Sequence, residues 1–200
     1  MPTDERKIHR CRWCNLKNPR YIEYHDKEWC VPEYHDPMLF ELLILESFQA
    51  GLSWECVLNK REAFREAFDQ FDLDKVCGYT EEKVQALMEN KEIIRNRRKI
   101  TAAIGNARVF RQIQAEWGTF SDYIWHFTEK KIVYENDKTS SELSDKVSAD
   151  LKKRGMKFVG TTIIYSYLQA IGVIYSHEDQ CFLFDRKLRM KNSASRIAAE

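Results

Sequence analysis

The sequence predicts an all-α protein, a compact bundle of roughly eight helices. Seven Gly and four Pro in 200 residues are too few for a turn-dense all-β design. Apolar residues recur at three- and four-residue intervals along most of the chain, the period of an amphipathic helix. No Pro/Gly/Ser-rich linker and no internal repeat interrupts them, so residues 1–200 are expected to form one domain. Hydrophobic residues at 44% and charged residues at 32% exclude a disordered chain.

The first 35 residues are rich in aromatics, His and Cys but weak in periodicity, and read as an irregular arm. Asp36 is placed to cap a helix whose first position is Pro37. Leu39, Leu42, Leu43, Glu46 and Ala50 share one stripe of it, and Gly51 ends it. Ser53 can cap the next helix, which would bury Trp54, Val57, Leu58, Phe64 and Phe68. A weaker helix follows Thr80, with Val84, Leu87 and Met88 inward. Asn90 opens a long helix carrying Ile93, Ile100, Ile104, Ala107 and Phe110, ending near Gly118. Ser121 to Phe127 make a short one. Residues 128–143 lack a period and read as a surface excursion. Ser144 is read as the cap of a helix to Arg154, and Thr161 to Ile171 as a last helix, closed by Gly172. Residues 1–8 and 185–200 are expected to be flexible tails.

Net charge is +1, with 32 Lys and Arg against 31 Asp and Glu, so a polyanion partner would need a locally clustered basic surface. No apolar run reaches the length of a membrane span, and no signal peptide is evident. The expected place is the cytoplasm, with no membrane partner, where the six Cys are reduced thiols or metal ligands.

One such basic cluster surrounds Gly155 to Gly160. Two helices are joined there by a tight segment, with Phe158 and Val159 expected to tuck inward. Gly160, Thr161 and Thr162 would offer unpaired backbone N–H groups at a helix N-terminus, where the helix dipole favours an anion. Lys152, Lys153, Arg154 and Lys157 add charge, so a nucleic-acid phosphate fits without any base being read. A plain helical corner would use the same glycines as cap and turn. A second basic run, Arg95-Asn-Arg-Arg-Lys99, favours the polyanion.

Metal ligands lie near both ends. His177-Glu-Asp-Gln-Cys181 sets two zinc-type ligands four residues apart, and Cys11, Cys14 and His25 stand at the other end. Four N/S ligands make a structural Zn2+ site, and two from each end would clasp the chain. Spacing alone leaves open whether Cys14 accompanies Cys11 or His25 does.

Glu46 stands on a leucine-lined stripe, where an ionised carboxylate is costly unless something compensates it. Buried, perturbed carboxylates are enriched at active sites. Trp13, Tyr21, Tyr24, Trp29 and Trp54 are dense in the same part of the sequence and supply either core or a slot for a flat ligand.

Four runs converge: Tyr21-Ile-Glu-Tyr-His-Asp-Lys-Glu-Trp29, Leu45-Glu-Ser-Phe-Gln-Ala-Gly-Leu-Ser-Trp54, Ile104-Gly-Asn-Ala-Arg108 and Lys152-Lys-Arg-Gly-Met-Lys-Phe-Val-Gly-Thr-Thr162. Together, over residues 9–183, they resemble the DNA-3-methyladenine glycosylase I family of the helix-hairpin-helix superfamily. The resemblance implies a hairpin at Gly155–Gly160, with Gly155, Lys157, Gly160, Thr161 and Thr162 on the DNA backbone. It implies one structural Zn2+ per chain, held by Cys11, His25, His177 and Cys181, which selects Cys11 over Cys14. It implies a pocket in which Glu46 reads a flipped base, Tyr24 and Trp54 stack on it, and Trp13 and Tyr21 line the slot. Two departures stand near that pocket: Cys30 and Ser47 occupy positions where family members commonly carry Gly.

The implied activity is base excision by a monomer: duplex DNA with alkylated bases goes in, and free 3-methyladenine and an abasic site come out. The helix Thr161–Gly172 contains no Lys and no Asp, which points to a monofunctional enzyme without lyase chemistry. The competing class is a non-catalytic, zinc-stabilised helical DNA-binding domain, which needs neither Glu46 nor the rings around it.

Overall fold

The computed structural model describes residues 8–185, so most of both expected tails lies outside the described residues. Among the described residues ten α-helices carry the fold: α1 (Pro19–Lys27), α2 (Asp36–Gln49), α3 (Trp54–Leu58), α4 (Arg61–Ala67), α5 (Leu73–Cys77), α6 (Glu81–Glu89), α7 (Arg97–Trp117), α8 (Phe120–His126), α9 (Glu142–Lys153) and α10 (Thr161–Ala170). Two short strands, β1 (Val133–Tyr134) and β2 (Ile174–Tyr175), pair in parallel, Val133 opposite Ile174. The region read as a periodless excursion thus contains β1.

The organising element is α2. Leu39, Phe40, Leu42, Leu43, Ile44, Leu45 and Phe48 are all buried, so the helix is covered on every side, beyond the single stripe predicted. Helices α3, α7, α8 and α10 pack around it. Each such side chain stabilises the fold by about 1.5–3 kcal/mol.

Several starts and caps differ from the sequence reading. The arm contains a helix, α1, capped by the Asn18 side chain and opened by Pro19. Asp36 does not cap its own helix. Its carboxylate accepts from the Phe120 and Ser121 backbone N–H at 2.8 and 2.9 Å, holding the start of α8 against the start of α2. The stretch after Ser53 breaks into α3 and α4 around Asn59 and Lys60. α7 begins after its cap Asn96, while Asn90 closes α6. Ser141 caps α9, and Ser144 is the reciprocal member of its capping box.

The arm is fixed by a close backbone crossing. Gly172 has φ of +71°, and a Cβ there would lie 2.4 Å from the Pro32 nitrogen and the Val31 carbonyl carbon. Beside it, Cys30 N–H donates to Gln169 O and Glu33 N–H to Ile171 O, each at 3.0 Å. The aromatic arm is thereby laid along the end of α10.

Candidate active site and metal centre

Cys11, His25, His177 and Cys181 come together, all four buried, with their ligand atoms within 4.8 Å of one another. Both thiols stand 3.5 Å from His177 Nδ1, and Cys181 Sγ is 3.6 Å from His25 Nε2. Zinc–sulfur and zinc–nitrogen bonds near 2.3 and 2.0 Å give tetrahedral edges of about 3.3–3.8 Å, so the set fits Zn2+ as it stands. Burial pushes the Cys11 thiol up and the His177 imidazole down to about 4. A dication reverses the first and is served by the second, because it needs thiolates and neutral imidazoles. Asp26 Oδ1 lies 2.7 Å from His25 Nδ1, orienting that ring, and Arg10 holds Asp26 in turn through bonds of 2.6–3.0 Å. Cys14 stays outside: its Sγ approaches Tyr21 O at 3.8 Å. The cluster is a structural Zn2+ site, one per chain, and it clasps the two ends of the described chain.

Trp29 separates this centre from a cleft of about 450 Å³. Its ring meets His177 edge-on at 4.8 Å and Trp13 at 4.7 Å. Helix α1 delivers Tyr21 and Tyr24 to the cleft, α2 delivers Glu46 and Gln49, α3 delivers Trp54, and α10 delivers Thr162, Tyr165 and Gln169. Tyr24 and Trp54 lie 5.2 Å apart, centroid to centroid.

Glu46 is 2% exposed, and its Oε2 has no hydrogen-bond partner. Burial alone drives its carboxyl well above the usual carboxylate range. Trp13 Nε1, Gln49 Oε1, Trp54 Nε1 and Tyr165 OH are buried and unpaired as well, and all these side chains line the same cleft. Buried polar groups are ordinarily paired, so five orphans on one cavity describe a site shaped for a polar, flat ligand.

Of the five sequence-chosen pocket residues, Glu46, Trp13, Tyr21, Tyr24 and Trp54 all line the cleft. Gln49, Tyr165 and Gln169 were missed. Gln49 falls three residues after Glu46, and Tyr165 three after Thr162, so helical spacing already put each on a partner's face.

The hairpin runs from Gly155, with φ of +102°, to Gly160. Met156 and Val159 tuck inward. Phe158, at φ of +56°, is only half-buried, contrary to expectation. Asn106 of α7 grips the hairpin: its side chain accepts from Lys157 N at 2.8 Å and donates to Lys157 O at 2.9 Å. Ser148 Oγ donates to Val159 O at 2.7 Å. No side chain caps α10, and Thr162 in its first turn reaches the cleft. The other basic run divides. Lys99 turns inward and donates to Phe48 O and Ala50 O at 2.8 and 2.6 Å, closing the end of α2, while Arg95 and Arg98 stay exposed.

Known proteins match along almost all of this. A family model described as methyladenine glycosylase matches residues 13–184. DNA-3-methyladenine glycosylase 1 of Escherichia coli (strain K12) is 46% identical over 180 residues, 87% of this chain and 96% of that protein. DNA-3-methyladenine glycosylase of Haemophilus influenzae is 41% identical, over 86% of this chain and 96% of its own. A crystal structure of 3-methyladenine DNA glycosylase I superposes with a TM-score of 0.85 at 43% identity, covering 88% of this chain and all of that one. Agreement of that extent, in sequence and in fold, makes the chain a member of the methyladenine glycosylase family.

Proposed function

We propose that the protein is a monofunctional base-excision DNA glycosylase, hydrolysing the N-glycosidic bond of 3-methyladenine in alkylated duplex DNA. The observation that carries the reading is Glu46, a buried carboxyl with an orphaned oxygen beside the Tyr24–Trp54 pair. Duplex DNA presents its bases stacked, so the nucleotide is extruded at a cost of a few kcal/mol. The base then enters the cleft and stacks against the Tyr24–Trp54 pair, with Trp13 and Tyr21 closing the slot. Ring alkylation gives it a positive charge, which the π faces and the Glu46 carboxylate both favour. The same charge weakens the bond to the sugar. That bond breaks with its electron pair going to the ring, so the base leaves neutral, and water adds its oxygen to the anomeric carbon and gives up a proton. Helix α10 has neither Lys nor Asp, so no amine stands there for lyase chemistry.

Gly155, Lys157, Gly160, Thr161 and Thr162 hold the sugar–phosphate backbone and read no base. The uncapped N-terminus of α10 supports this, and Gly160, whose missing Cβ faces open space, lets a phosphate approach closely. The protein acts as a single-domain monomer on duplex DNA. Among the described residues no helix is long and apolar enough to cross a membrane.

Incubation with methylated DNA, followed by chromatography of the released bases, tests the reading. Free 3-methyladenine and abasic sites without strand cleavage are expected. Salt-sensitive duplex binding with no base released would instead establish a non-catalytic DNA-binding domain.

A further inference from the structure

Against the hairpin, and sharing no lining residue with the base cleft, lies a groove of about 670 Å³, floored by the first half of α7 and walled by the start of α6 and the hairpin. We infer that this groove carries the sugar–phosphate backbone of the DNA duplex beyond the hairpin, an inference that rests on the glycosylase reading and extends it to a second DNA-facing surface.

Arg98, Thr101, Gly105 and Arg108 are spaced three, four and three residues apart, so they form one stripe of α7, and all four line the groove. The stripe has an arginine at each end and small residues between them. Gly105 leaves open space where a Cβ would stand, so a bulky backbone can lie close against the helix. Lys157 enters from the hairpin wall, held in place by the two bonds from Asn106. Arg98 and Lys157 join none of the ion pairs among the described residues, and the acidic Glu81 at the rim is already paired with Arg97 at 2.5 Å. The groove thus keeps uncommitted cations and a neutralised acid.

Its position gives the direction. Thr162, just past the hairpin, lines the base cleft, and Gly155, Lys157 and Phe158 of the hairpin line this groove, with no lining residue shared. A strand that surrenders a base to the cleft and crosses the hairpin N–H groups runs on into the groove. Ten residues from Arg98 to Arg108 span about 15 Å of helix. One DNA strand advances about 3.4 Å per nucleotide along its axis, so the two arginines bracket roughly four nucleotides. The groups available are guanidinium, ammonium and hydroxyl, which recognise phosphate and leave sequence unread.

The experiment uses full-length Arg98→Gln and Gly105→Glu beside Gly160→Asp, with a duplex bearing an abasic-site analogue titrated from low to moderate salt. Free 3-methyladenine binding and melting temperature are recorded for each. Gly105→Glu replaces a helix-interior glycine in open space, so its fold is kept while charge and bulk enter the groove floor. Expected is a shallower salt dependence for Arg98→Gln, by close to one unit in the log–log slope, because one fewer phosphate is neutralised. At least tenfold weaker duplex binding is expected for Gly105→Glu, with base binding unchanged in both. Wild-type slope and affinity in these two, with weakened binding in Gly160→Asp, overturn the groove and leave the glycosylase reading intact. Failure of the wild-type protein to bind either the duplex or the free base overturns both.

Discussion

Two buried polar clusters stand on opposite sides of Trp29 and are built on contrary rules. In the clasp each group has its partner: thiols face imidazoles, Asp26 orients His25, and Arg10 holds Asp26. In the cleft the corresponding atoms of Glu46, Gln49, Trp13 and Trp54 have none. A satisfied cluster of this kind contributes stability once its cation is bound, whereas an unsatisfied one subtracts from stability and recovers the loss only when a ligand arrives. The difference separates groups retained for folding from groups retained for binding, though both are equally hidden from solvent.

The largest expected effect tests the first half of that contrast. Cys181→Ser or Cys11→Ser should abolish stoichiometric zinc and lower stability by more than about 4 kcal/mol, as losses of a structural metal do. Metal analysis with thermal melts checks it. Cys14→Ser should keep about one zinc per chain, and if zinc followed Cys14 the clasp would have to be redrawn.

Glu46→Gln tests the second half. Free 3-methyladenine should bind more weakly by about 1–3 kcal/mol, the worth of a charged hydrogen bond. Stability, by contrast, should not fall. Because the folded protein holds the Glu46 proton more tightly than the unfolded chain does, wild-type stability declines as pH rises above the ordinary value of 4.5, until Glu46 ionises. The Gln variant lacks that decline, so the gap between their melting temperatures should widen in its favour across the same window. A gap that narrows with pH would show Glu46 to be paired. Trp54→Ala, which removes a stacking face without touching charge, should weaken base binding by about 1–3 kcal/mol at every pH.

Lys99→Met should have the smallest effect. It deletes the cation that closes the end of α2, three to four residues beyond Glu46, and helix C-terminal charges are typically worth about 0.3–1 kcal/mol. Base affinity and melting temperature should both drop slightly, and the salt dependence of duplex binding should not change. A changed salt slope would return Lys99 to the DNA-facing set suggested by the run Arg95–Lys99.

How far the sequence could be read follows the same division between local and distant information. Helices announced by leucines, and caps such as Ser53, depend on neighbours within a turn or two. Helix α1 escaped because its buried face is Tyr21, Tyr24 and His25, residues whose polar tips mask the apolar period, although Asn18-Pro19 carried a start signal. Asp36 and Lys99 were misassigned for another reason. Their partners stand 84 and about 50 positions away, and nothing in the adjacent residues specifies them. In the site, the carboxylate out of place among leucines was legible. Gln49 and Tyr165 join the cleft lining only where two helices meet. The zinc ligands were legible as a set of candidates. Spacing left Cys11 and Cys14 equivalent, family resemblance pointed to Cys11, and the fold brings Cys11 to His177 while Cys14 stays outside.

The clasp joins positions 166 residues apart, Cys11 to His177, and so imposes an order on synthesis. Trp13, Tyr21 and Tyr24 leave the ribosome well before His177 and Cys181, and before the α10 end over which the arm is laid. Until then Trp29 has no His177 to rest on and the slot lacks its far wall. The growing chain carries half a metal site and half a pocket until α10 and His177 have been made, and one interrupted before then is left with no competent cleft.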